Sequence, residues 1–142
     1  MKIVENSRGK APAFTVTFGL QEGYGDSSKI HTVDEVVTLI ESFLKKCAAA
    51  GRSFLTGSVT AGTVVYAWPE GEGKAGGGHE PQASFIGNQN PLYNSNMSQA
   101  EIEDFLNDLA AEVGVALGQT RVYISFAGDL WILQQEEAAT PT

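Results

Sequence analysis

One helix-start signature occurs twice in this chain, and it constrains the fold more than any other feature. Thr32-Val33-Asp34-Glu35 and Ser98-Gln99-Ala100-Glu101 both read as capping boxes. In each, the hydroxyl accepts from the N3 amide while the Glu reaches back to the N-cap amide. Each box follows a strand-like run and precedes an amphipathic helical pattern. The chain therefore reads as strand–helix–strand stated two times.

The segments around the boxes fill in that order. Phe14, Val16, Phe18 and Leu20 alternate with Thr15, Thr17 and Gly19, the period of a half-buried strand. Residues 21–31 form a loop. The first helix is expected from about Val33 to Ala50, with Val36, Ile40, Phe43, Leu44 and Cys47 on its buried stripe and Gly51 as its stop. Ile30 stands where a hydrophobic staple onto Val36 would begin. Residues 54–68 are strand-like but interrupted by Gly57 and Ala61-Gly62. Either one long strand with bulges or a hairpin turning at Ala61-Gly62 fits, and we favour the long strand. Residues 69–82 hold Gly71, Gly73, Gly76, Gly77 and Gly78 and read as a Gly-rich loop, followed by a short strand at Ala83–Ile86. A polar loop spans 87–97. The second helix carries Ile102, Phe105, Leu106, Leu109 and Val113, and ends at Gly114 or at Leu117 with Gly118 as its stop. Arg121–Phe126 alternates cleanly, and Ala127-Gly128-Asp129 turns it into a final strand at Leu130–Leu133.

The order is βαββαβ plus a C-terminal hairpin strand. The simplest packing is an α+β, ferredoxin-like split βαβ sandwich, an antiparallel sheet with both helices on one face. The 142 residues are expected to form a single domain, 1–142, with an N-terminal arm at 1–12 and a mobile tail at 134–142. Tyr66, Trp68, Tyr123 and Trp131 are large strand residues that either lie on the helix-free face or fill gaps within the monomer. An exposed aromatic face would favour a homo-oligomer.

Charge and composition exclude several functions. The net charge of −8, from 9 basic and 17 acidic side chains, argues against a duplex nucleic-acid partner and is otherwise explained by solubility. No apolar run has the length of a membrane span, and residues 1–12 hold no apolar segment of a secretory signal. Cys47, the single cysteine, fits a reducing cytoplasm and lies on an apolar stripe unsuited to a nucleophile. Two histidines and one cysteine, widely separated, make no metal pattern, so no metal and no cofactor are expected. No G-x-G-x-x-G, P-loop or G-x-S-x-G motif occurs. Glu22, Asp26, Glu80 and Asp129 are loop carboxylates able to act as acid or base, with nothing in the sequence to show that any two converge.

Topology suggests where a site would form. In the ferredoxin-like order, loop 21–31, loop 69–82 and turn 118–121 meet at one sheet edge. They hold Lys29, His31, Lys74, His79 and Arg121, five of the eleven basic or imidazole side chains among nine Lys and Arg and two His. The first helix points its free amides and positive dipole end there. Tyr24, between two glycines, offers an aromatic face. A small anion is the expected ligand, with Arg121 forking onto it and His31 and the Thr32 hydroxyl donating. The plainer readings are that Lys29 and Lys74 are solvated surface charges, that Arg121 pairs with a carboxylate and that His31 merely flanks a helix. At the opposite edge Asn88 and Asn90, with Gln89 and Tyr93, are further binding candidates, although turn chemistry alone accounts for the asparagines.

The run Phe18-Gly19-Leu20-Gln21-Glu22-Gly23-Tyr24-Gly25 with His31, and Gly118-Gln119-Thr120-Arg121-Val122, resembles small βαββαβ proteins carried by phages and their bacterial hosts. That neighbourhood includes oligomeric sponges that sequester nucleotide immune signals and lyases acting on adenosyl compounds. The resemblance implies a viral, anti-defence setting in the host cytoplasm and transfers no catalytic residue. Three functions follow in order: an oligomeric sponge for an anionic, nucleotide-like ligand; a lyase or isomerase on the same scaffold, with Tyr24 or His31 moving a proton; and a self-assembling virion-associated module. Binding without turnover is favoured over catalysis.

Overall fold

A computed structural model describes residues 1–23 and 28–136. Its elements are β1 (Ala13–Gly19), β2 (Gln21–Glu22), β3 (Lys29–Ile30), α1 (Val33–Ala49), β4 (Gly57–Gly71), β5 (Lys74–Asn88), α2 (Gln99–Ala116), β6 (Arg121–Phe126) and β7 (Asp129–Gln134). The main sheet has the order β4-β5-β1-β6-β7 with every neighbouring pair antiparallel. This is the ferredoxin-like split βαβ arrangement with β7 added at one edge. The short β2 and β3 pair only with each other.

Alternation sorts the sheet into two faces. Phe14, Val16 and Phe18 of β1, Ala83 and Phe85 of β5, and Val122, Ile124 and Phe126 of β6 are buried beneath the helices. From the helices come Val36, Ile40, Phe43 and Cys47 of α1 and Ile102, Phe105, Leu106, Leu109 and Val113 of α2. Phe43 meets Phe105 between the helices with ring centroids 5.7 Å apart, and Phe14 meets Phe85 at 5.3 Å. Burying each such side chain contributes about 1.5–3 kcal/mol, so this face dominates stability.

Helix ends follow their glycines. Gly51 takes φ 69° just past α1, and α2 runs through Gly114 to stop at Gly118, φ 66°. Gly114 lies so close to β6 that a Cβ there would fall 2.7 Å from the Val122 side chain. Ile30, the expected staple residue, is exposed and pairs with Gln21 on the short β2–β3 ladder.

The largest departure is at 69–82. There is no Gly-rich loop: β4 and β5 run for 15 residues each, with a bulge between Pro69 and Gly71, and the chain reverses at Glu72-Gly73. Both turn residues have positive φ (50° and 71°), the geometry of a tight two-residue hairpin. The strand therefore does not turn at Ala61-Gly62. The glycines have a packing reason, because the Tyr66 and Trp68 rings lie across the strand opposite. A Cβ on Gly78 would sit 3.0 Å from the Tyr66 hydroxyl oxygen, and one on Gly76 2.5 Å from the Trp68 ring. The two rings stack at 6.0 Å. Beyond Val64 the hairpin projects past the main sheet as a two-stranded arm roughly 25 Å long by the strand rise.

Candidate functional site

The edge predicted to gather five basic groups does not gather them. Because β4 and β5 extend outward, Lys74 sits beside the hairpin tip, eight residues along the strand from Gln82, which faces Gly19. That is about 26 Å away at the strand rise. His79 pairs with Val65 on the arm and is exposed. Lys29 is exposed on β3. Tyr24 and Asp26 lie outside the described residues.

His31 is buried, with 5% of its surface exposed, and sits between two carboxylates. Nδ1 lies 2.6 Å from Glu35 Oε2 and Nε2 lies 3.0 Å from Glu22 Oε2. The hydrogen bond with Glu35 is the main cause of an imidazole pKa raised above its ordinary value. Burial opposes the rise, and Glu22 adds to it. Glu35 is held below the usual carboxylate range by the same contact. Its carboxylate therefore does not return to the helix start. Thr32 Oγ1 still accepts from the Glu35 amide at 3.2 Å, but the reciprocal half of the box is absent. At α2 both halves are present.

The asparagine edge is occupied by its own turn. Asn88 donates to Ala11 O, Asn90 Oδ1 accepts from the amides of Leu92 and Tyr93, and Asn94 donates to Phe54 O. A cavity of about 490 Å³ lies beside Asn88, Asn90 and Tyr93. Asn88 Nδ2, Asn90 Oδ1 and Asn94 Nδ2 are engaged by the backbone beside it.

A different site appears on the helix-free face. Thr17, Gly19, Glu80, Gln82, Arg121 and Tyr123 line a cavity of about 770 Å³, with Val64 and Tyr66 of the arm along one side and Gln119 and Thr120 at one end. This volume suits a drug-sized or nucleoside-sized ligand. Gly19 and Gly62 flank Gln82 in the cross-strand register, and the Gln119 side chain lies over Gly19 while that of Gln82 lies over Gly62. Thr17 and Ser84 share a hydrogen bond at 3.0 Å. Gln119 fixes the end wall, since Nε2 donates to Gln21 O at 3.0 Å and to Leu117 O at 3.3 Å. Tyr66 donates its hydroxyl to Glu80 Oε1 at 3.0 Å, and Arg121 Nε donates to Gln134 Oε1 at 3.3 Å.

Of the predicted candidates among the described residues, only Arg121 lines this cavity. Tyr66, Glu80, Gln82 and Tyr123 come together only because residues 69–82 belong to strands rather than to a loop. The available signal was Glu72-Gly73 with aromatics at 66 and 68 facing glycines at 78 and 76. Tyr66, Trp68 and Tyr123 do lie on the helix-free side, but Trp131 turns to the helices, where Nε1 donates to Asn107 Oδ1 of α2 at 2.7 Å. Among the described residues, no three His, Cys, Asp or Glu side chains cluster as metal ligands, and no helix is long and apolar enough to cross a membrane.

The fold is similar to that of a phage SAM lyase. One solved structure is that lyase in complex with S-methyl-5′-thioadenosine, with TM-score 0.66 and 15% identity, covering 94% of this chain and 97% of the other. A second, in the apo state, gives TM-score 0.64 and 18% identity over 96% and 99%. No protein-family model matches the sequence, and no curated protein matches it.

Proposed function

We propose that this protein binds an adenosyl sulfonium compound of the S-adenosylmethionine type on the helix-free face of the sheet and cleaves it as a lyase. The observation that carries the reading is the Tyr66–Glu80 pair inside the 770 Å³ cavity, on a fold similar to a SAM lyase with bound thioadenosine. A sulfonium is a cation. A carboxylate and the aromatic faces of Tyr66 and Tyr123 are the groups that attract one. Releasing S-methyl-5′-thioadenosine from S-adenosylmethionine breaks the bond between sulfur and the amino-acid side chain. Sulfur takes the bonding pair and leaves as a neutral thioether. As the carbon–sulfur bond breaks, the side-chain carbon either forms a double bond by losing a β proton to a base or is attacked by the fragment's own carboxylate, which closes a lactone. Glu80, oriented by the Tyr66 hydroxyl, is suited to attract the sulfonium on binding and to accept that β proton in the elimination.

Incubation with S-adenosylmethionine, followed by mass spectrometry, is expected to yield S-methyl-5′-thioadenosine, with a loss of at least tenfold in Glu80→Gln. Substrate recovered intact alongside tight binding would instead favour the sponge, the second reading, which Arg121 in the cavity supports. The phage and anti-defence setting belongs with either reading. So does a homo-oligomer, supported by an arm that exposes Val65 (77%) on one face and Trp68 (45%) on the other. Light scattering tests it.

A further inference from the structure

The cavity has one fixed charge of each sign at opposite sides. Glu80 stands on β5, two residues beyond Gln82. Gln82 pairs with Gly19, and extending the Thr17–Tyr123 ladder by two residues sets Arg121 across from Gly19 on the other side of β1. Strand spacing and rise then separate the Glu80 and Arg121 Cα atoms by about 12 Å. Both side chains are long and project from the same face, so a small ligand between them touches both.

Arg121 is also prepared to bind. Its Nε donates to Gln134 Oε1 at 3.3 Å, both residues line the cavity, and this bond does not use the terminal Nη groups. No ion pair forms at Arg121 among the described residues. By contrast, Arg52 pairs with Asp108 at 2.7 Å and Lys46 pairs with Glu112. A planar fork held at one edge matches a carboxylate. A phosphate chain matches the fork equally well, but Glu80 in the same cavity and a net charge of −8 oppose a polyanion.

We infer that Arg121 recognises the α-carboxylate of the amino-acid arm of the ligand while Glu80 faces its cationic centre, so that the cavity selects a dipolar adenosyl amino acid over a nucleotide polyanion. This rests on the proposed reading and deepens it by assigning the two ends of the ligand.

Two unreactive ligands separate the contributions. S-adenosylhomocysteine carries the amino-acid arm, and S-methyl-5′-thioadenosine lacks it. Isothermal titration is expected to show that Arg121→Ala weakens S-adenosylhomocysteine about tenfold or more, the scale of a charged hydrogen-bond pair, while changing S-methyl-5′-thioadenosine less than twofold. Arg121→Lys, which keeps the charge but not the fork, is expected to fall between. A merely structural role would weaken both ligands alike, and that result overturns the inference while leaving the reading intact. An Arg121→Ala effect larger on ATP than on S-adenosylhomocysteine overturns it in favour of a phosphate site. Failure of both adenosyl ligands to bind the unaltered protein overturns the inference together with the reading beneath it.

Discussion

The two faces of the sheet obey different rules. Under the helices, Phe14, Val16 and Phe18 of β1, Ala83 and Phe85 of β5, and Val122, Ile124 and Phe126 of β6 are apolar and sealed. On the other face the same strands present Thr17, Ser84, Gln82, Glu80, Arg121 and Tyr123, polar groups that remain accessible. The first face holds the molecule together through burial. The second retains hydrogen-bonding and charged groups whose partners are short, local and incomplete. Stability and recognition are therefore carried by alternate residues of the same strands, and a substitution is expected to affect one or the other according to its parity.

The strongest way to break that contrast is to excavate the covered face. Phe105→Ala removes a ring shared by α2 and Phe43 and is expected to cost about 3–5 kcal/mol, read from urea denaturation. A loss below 1 kcal/mol would mean the sealed face is not where stability resides. Next comes the His31 clamp, where His31→Ala is expected to cost about 1–2 kcal/mol, the range of charged hydrogen bonds with partly exposed partners. Its pH signature is specific. The folded imidazole titrates above its ordinary value of 6.5, so its contribution is complete below that pH and fades as pH rises through the raised value. Glu35 titrates below its ordinary 4.5, so its share is present above that pH and is lost as acid carries the solution through the lowered value. Thermal melts of the unaltered protein should thus weaken on the alkaline side, and His31→Gln should flatten the curve there. An unchanged pH profile in that variant refutes the clamp. A smaller effect separates the helix starts, since Ser98→Ala removes a complete box and is expected to cost about 1 kcal/mol. The smallest stability change belongs to the open face, where Tyr123→Ala is expected to stay within about 0.5 kcal/mol, as surface substitutions do, while ligand affinity falls severalfold. Equal losses in both would show that the open face is structural.

The pattern of what the sequence revealed follows from range. Capping signals, glycine stops and period-2 runs are local, so α1, α2, β1 and β6 were legible and the sheet order followed from them. The arm was not. Gly76 and Gly78 weaken a strand by every local measure, and only their cross-strand neighbours Trp68 and Tyr66 explain them. A loop there would bring Lys74 and His79 to the sheet edge; the extended ribbon carries them away from it and sets Glu80 at the cavity. His31 misled for a related reason. Its flanking position was readable, but the return of Glu22 onto it depends on the turn at Gly118, across which the Glu22 side chain lies.

The projecting half of the hairpin has a dynamic consequence. Up to Pro81, whose carbonyl accepts from Leu20 N at 3.0 Å, β5 is braced by a third strand. Beyond it the ribbon is held by its own ladder and two stacked rings. Isolated two-stranded ribbons are marginal in water, so amide protons from Val65 to Gly71 should exchange with solvent through openings of the ribbon alone. Those of Val16 and Ile124 should exchange only when the whole fold opens.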